Sequence, residues 1–267
     1  MNRIESSAAL RAAGIMARFR LLDELHLVQA AAALWDGGFR AVELPYSAVR
    51  GNGRLIPTLK EMDLLVGVGS ITRSSQVREP GVIGADFVAA PVTAPDLVLA
   101  CEEVDVPCIL GGLSAIEVWR AHEMQPDFVK VTNPEALGGS LYAGSLREIL
   151  PTLHLVGGNM PLHGYLSYLE KEVEVLEFGE ALLLPQPNLR DEWVELSRRA
   201  SEIVVACESW KASRRQDIGS VTARSARGDN RKRPHPGSRD SSAPNDAPPD
   251  GEPGSHDRYL KSPRGAR

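Results

Sequence analysis

Eight short apolar runs, roughly 25 residues apart and each trailed by a segment of helical periodicity, constrain this chain more than any other feature. They are IMARFR, RAVELP, LLVGVGS, ADFVAA, VPCILGG, DFVKVT, LHLVGG and VEVLEFG. Most are rich in β-branched residues and nearly continuous, as strands buried on both faces of a parallel sheet read. Helical patterns such as LHLVQAAAALWDGG, SQVREPGVIG, SAIEVWRAHEMQ and PLHGYLSYLEKE lie between them. One more, ESSAALRAA, precedes the first run, and LRDEWVELSRRASEIVVACESWKAS follows the last. The alternation predicts an α/β protein, a (β/α)8 TIM barrel with a short N-terminal helix. An open doubly wound sheet is the alternative, because periodicity does not report closure. Glycines end several runs, at Gly69, Gly111-Gly112 and Gly157-Gly158, where barrel enzymes place their active-site loops.

Composition sets the boundary of that body. The chain has 267 residues and is 43% hydrophobic, enough for a substantial core. Residues 214 to 267, however, hold seven Pro, six Gly and almost no large apolar side chains. Such a segment buries too little surface to offset its ordering entropy, so it is expected to be a disordered tail, with the barrel spanning residues 1–213. Twelve Lys and Arg against seven Asp and Glu put the tail at +5. The rest of a chain of net charge −5 therefore carries −10. An acidic body argues against nucleic-acid binding, which needs clustered cations. Three cysteines, Cys101, Cys108 and Cys207, show no metal or disulfide spacing and suit a reducing cytoplasm. Neither a signal-peptide core nor a membrane-length apolar stretch is present, which predicts a soluble protein.

The polar residues at the strand ends are the candidate chemistry. They are Arg18, Arg20, Glu43, Ser70, Lys130 with Thr132, Gly157-Gly158 and Glu180. Alternation in DFVKVT puts Phe128, Lys130 and Thr132 on one face and Val129 and Val131 on the other. With the valines under the helices, Lys130 projects into the barrel. Burial lowers an amine's pKa, and a neutral amine attacks a carbonyl to form a Schiff base. Alternatively Lys130 snorkels to solvent or pairs structurally with Glu43. Glu43 faces the same cavity and has the chemistry of a general base beside such an amine. The Gly157-Gly158 pair has the form of an anion-binding turn, or only of a tight one. The histidines are scattered without ligand spacing, and no metal is indicated.

Taken together, these segments resemble the class I 2-keto-3-deoxy-6-phosphogluconate/4-hydroxy-2-oxoglutarate aldolases from about Gly14 to the last helix. GGFRAVELP is similar to the family's Gly-Gly-(apolar)-Glu segment, with Glu43 at its catalytic glutamate. VGVGSI resembles the turn whose threonine binds the substrate carboxylate, with Ser70 in that place, and GADFVAAP resembles the fourth strand. FVKVTNPEALGG resembles the Schiff-base segment and puts Lys130 at the catalytic lysine. LVGGNMP looks like the phosphate turn, and Arg20 matches an arginine often found after strand one.

The resemblance implies a lyase that cleaves a 2-oxo-4-hydroxy acid to pyruvate and an aldehyde, without metal or organic cofactor. It also implies a homotrimer. Lys130 and Glu43 would be catalytic. Ser70, Arg20, Thr132, Gly157, Gly158, Gly179 and Glu180 would bind substrate. Three departures bear on that substrate: Ser47 stands where many members have Arg or Thr, Val156 replaces the Thr before Gly157, and Gly179-Glu180 replaces Gly-Ser. A carboxylate at position 180 repels a phosphate dianion, which predicts an unphosphorylated or atypical aldehyde half. An imine-forming decarboxylase or dehydratase, a non-catalytic oxo-acid binder, and a tail that binds partners are the alternatives.

Overall fold

In the computed structural model eight parallel strands close into a barrel in sequence order, β1 pairing with both β2 and β8. The structure describes residues 1–20, 23–79, 81–183 and 190–226. The strands are β1 (Ile15–Arg18), β2 (Ala41–Pro45), β3 (Leu65–Gly69), β4 (Phe87–Ala90), β5 (Cys108–Gly112), β6 (Phe128–Val131), β7 (Leu155–Gly157) and β8 (Val175–Phe178). Each falls within one of the eight apolar runs. The helices are α1 (Arg3–Ala13), α2 (Glu24–Asp36), α3 (Tyr46–Val49), α4 (Leu55–Lys60), α5 (Ser74–Val77), α6 (Pro95–Glu103), α7 (Ala115–Glu123), α8 (Gly139–Ile149), α9 (Leu166–Glu170) and α10 (Arg190–Ala226). Open-sheet topology is thereby excluded.

Alternate residues of each strand serve two cores. Ala17, Val42, Leu44, Val66, Val68, Val129 and Val131 belong to the larger cluster beneath the helices. Met16, Ala41, Phe87, Ile109, Phe128 and Val156 form a second cluster inside the barrel. Gly67 is required there, because a Cβ at that position would overlap the Phe87 ring. Leu10 of α1 joins the inner cluster, so α1 closes the N-terminal end of the barrel. A capping box between Asn2 and Glu5 starts α1, and Gly14 at φ 67° ends it. Asp127 ties it down, accepting from Arg3 Nε at 2.9 Å, Ser7 Oγ at 3.1 Å and the Cys108 N–H at 2.9 Å. With that end filled, a ligand must enter at the C-terminal ends of the strands.

Three helices depart from expectation. The SQVREPGVIG segment keeps only α5, and its sequence carries a Pro-Gly pair, which disfavours a continuing helix. PLHGYLSYLEKE keeps only α9, because Gly164 sits at φ 77° before it. The expected end of the body at residue 213 falls inside α10, which continues to Ala226. RRQDIGSVTARSA contains no proline to stop it, and the tail's first proline is at position 234. The remainder of the expected tail, 227–267, lies outside the described residues. One compact unit covers Met1–Val221 and holds the whole barrel.

Candidate active site

The inward face of β6 carries Lys130 to a position one residue from the C-terminal end of the strand, with 6% of its surface exposed. Its Nζ donates to Glu43 Oε2 at 2.8 Å and to Glu177 Oε2 at 2.5 Å. Both carboxylates are buried, Glu43 on β2 and Glu177 on β8. Arg18, at the end of β1, donates from Nε to Glu177 Oε1 at 2.7 Å. Two cations and two carboxylates from four strands thus form one charge-balanced cluster, Lys130 and both glutamates buried and Arg18 partly so. Such groups are tolerated inside a protein only when paired and hydrogen-bonded in this way.

Glu43 has room because β3 has none to spare: a Cβ at Gly69 would overlap the Glu43 carboxylate. Ser70 follows directly in the left-handed region, at φ 61°, a conformation a non-glycine residue adopts at some cost. A cavity of about 220 Å³ opens over the cluster. Lys130, Glu43, Ser70, Arg20 and Thr132 line it, together with Arg18 and Glu177. Six of the strand-end candidates read from the sequence, Arg18 among them, therefore meet around one space.

The others lie beside it. Gly157 faces the outer layer, where an added Cβ would meet Met160 and Val173. Gly158 abuts the end of β6, and its N–H donates to Val131 O at 2.8 Å. The next N–H, of Asn159, donates to Glu177 Oε1 at 3.3 Å. Both amides that the Gly-Gly turn could offer an anion are thus engaged by the protein itself. Gly179 packs against Arg18 and the Asn159 side chain. Glu180 meets Arg20 Nη1 at 2.6 Å, both side chains about three-fifths exposed. Sequence reading had no place for Glu177. The signal was its parity: Glu177 shares an inward face with Val175 and Gly179, two residues to either side.

The expected neutral amine is corrected by this geometry. Burial does push the Lys130 ammonium toward deprotonation, but the carboxylates of Glu177 and Glu43 more than offset it and hold the pKa above the ordinary lysine value. Two carboxylates within hydrogen-bond reach of Nζ favour the ammonium form at rest. Burial raises the Glu43 carboxyl above the ordinary glutamate range despite the nearby Lys130. Burial would also raise Glu177, yet Lys130 and Arg18 outweigh it and hold that carboxyl low. Glu43 is therefore the easier group to protonate, and it lies within hydrogen-bond reach of the Lys130 nitrogen.

A closed βα barrel with an amine and carboxylates gathered under a small cavity at its strand ends has the layout of a barrel enzyme acting on a small polar substrate. The chain belongs to the KDPG and KHG aldolase family, whose model matches residues 6–196. It is 29% identical over 164 residues to a 2-dehydro-3-deoxy-phosphogluconate aldolase of Treponema pallidum, covering 61% of this chain and 78% of the relative. The enzyme of that name from Dickeya dadantii is 30% identical over 176 residues, with 61% and 78% covered. Among solved structures, the KDPG aldolase of Legionella pneumophila with pyruvate captured as a covalent carbinolamine superposes with a TM-score of 0.64 at 22% identity. That match covers 73% of this chain and 97% of the other.

Proposed function

We propose that this protein is a Schiff-base aldolase that cleaves a 2-oxo-4-hydroxy acid to pyruvate and an aldehyde, and that its aldehyde half is unphosphorylated. The observation that carries the reading is the Lys130 nitrogen at 2.8 Å from Glu43 under a cavity at the barrel mouth. Passing one proton from Nζ to Glu43 yields a neutral amine and a neutral acid from an ion pair. No charge is then left unpaired, since Arg18 and Glu177 still balance. The amine adds to the C2 carbonyl, and loss of water leaves the protonated imine. The C3–C4 bond breaks with its electron pair moving into the imine to form an enamine, while the C4 hydroxyl gives its proton to the Glu43 carboxylate. That proton is then delivered to C3, and hydrolysis of the imine releases pyruvate and restores Lys130. Ser70 and Arg20 hold the substrate carboxylate, and Thr132 faces the same space.

The unphosphorylated half is supported by the engaged amides of Gly158 and Asn159 and by the carboxylate of Glu180 beside the mouth. A phosphate dianion there would meet a negative charge and no free N–H from those two residues. Exposed Ile116, Trp119 and Leu141 on α7 and α8 supply apolar surface for the homotrimer implied by the family. Three buried free thiols fit a reducing cytoplasm. Incubation with pyruvate and borohydride, followed by peptide mass spectrometry, tests the central claim. A reduced adduct on Lys130 is expected, and its absence there would sink the reading.

A further inference from the structure

Glu177 has no task in the reaction above, yet it makes the shorter of the two contacts to the nitrogen that reacts. Its two oxygens are used differently. Oε1 accepts from Arg18 Nε and from the Asn159 N–H, while Oε2 faces Lys130 Nζ. Among the described residues, the Glu43 carboxylate accepts a hydrogen bond only from Lys130. One carboxylate is therefore anchored from three elements, and the other is free to exchange a proton with its single partner.

We infer that Glu177 is a permanent counter-ion to the Lys130 nitrogen, keeping its own charge throughout while Glu43 carries the protons. The charged groups around it are Arg18 from β1, Glu43 from β2 and Lys130 from β6, with the Arg20–Glu180 pair farther out at the mouth. Its carboxyl is held low by Lys130 and Arg18 against the effect of burial. In the resting site the counter-ion stabilises the ammonium. Its second role rests on the aldolase reading. The carbinolamine hydroxyl leaves as water with the proton that Glu43 took from Nζ, so Glu43 is again a carboxylate and the imine nitrogen is positive beside Glu177. A low-dielectric site makes that fixed charge far more effective than solvent would be. The same contact makes the first step harder and the imine more stable.

Those opposite effects separate the assignment from a merely structural role. Two variants are compared with the parent: Glu177→Gln, and the charge-neutral double variant Arg18→Met with Glu177→Met, which keeps the site readable if the single change fails to fold. The first readout is the pH dependence of Lys130 methylation by formaldehyde and cyanoborohydride, resolved by peptide mass spectrometry. Its midpoint is expected to fall by about one pH unit or more in both variants. The second is the amount of imine trapped at neutral pH with pyruvate and borohydride, expected to fall about tenfold or more. A labelling midpoint that stays put or rises in folded variants overturns the inference. A lowered midpoint in variants that trap as much imine as the parent overturns its second half. Should the parent itself trap no pyruvate while the midpoint still falls, the counter-ion pairing stands and the aldolase reading fails.

Discussion

The carboxylate of Glu43 occupies the space that any side chain at Gly69 would need. The neighbouring strand thus contributes to the site by having nothing there. Gly69→Ala should force Glu43 or the β3 backbone to move. Overpacking of this kind costs about 1–3 kcal/mol, and a displaced base costs more in turnover than in stability. The expected outcome is a modest fall in Tm with cleavage reduced about a hundredfold or more. Parent-like kinetics would show that Glu43 does not act where it stands.

Replacing Lys130 by Met removes the nucleophile and leaves two carboxylates facing each other in the barrel. Cleavage should fall by about a thousandfold at least. Stability should drop by about 3–5 kcal/mol at neutral pH, because an uncompensated buried charge remains. Glu43, already easy to protonate, relieves that cost as the pH falls. Urea denaturation at neutral and mildly acid pH measures both the loss and its recovery.

The two glutamates give stability opposite pH dependence. Folding lowers the Glu177 carboxyl, so its contribution is present above the ordinary glutamate pKa of about 4.3 and is lost as pH falls toward the lower folded value. Folding raises the Glu43 carboxyl, so the folded state is favoured while that group is protonated and is penalised as pH rises from the ordinary glutamate pKa toward the higher folded value. Glu177→Gln should therefore be least stable relative to the parent at neutral pH, with the gap closing in acid. Glu43→Gln should gain on the parent as pH rises from acid to neutral. Thermal melts across that range test both signs.

Beside the mouth, the Glu180 carboxylate, paired with Arg20, sets a like charge against a distal phosphate. The parent should prefer the unphosphorylated six-carbon 2-keto-3-deoxy acid over its 6-phosphate. Glu180→Ser removes that repulsion and should raise kcat/KM for the phosphorylated acid about tenfold relative to the unphosphorylated one. A parent that clearly prefers the phosphorylated acid would overturn this view of the substrate.

Much of this architecture is legible in the order of the residues. Helix and strand periodicities follow from local chain geometry, so the eight βα units could be read from residue order alone. Alternation in FVKV placed Lys130 inward for the same reason, and the family segments put Glu43, Ser70 and Arg20 beside it. Short helices were read less well. α5 and α9 were overestimated because hydrophobic period outweighed the breakers Pro80-Gly81 and Gly164. The end of α10 was missed because composition averaged over a long tail says little about its first turns.

By itself, then, the sequence determined which faces of which strands are apolar, and hence a barrel with an amine at its open end. It could not determine the charge on that amine. Burial and ion pairing act on the same pKa with opposite sign, and their balance depends on distances of a few ångströms between β1, β2, β6 and β8, which are remote along the chain. Only barrel closure, which brings β8 beside β1, sets Glu177 between Arg18 and Lys130 and makes the resting lysine a cation.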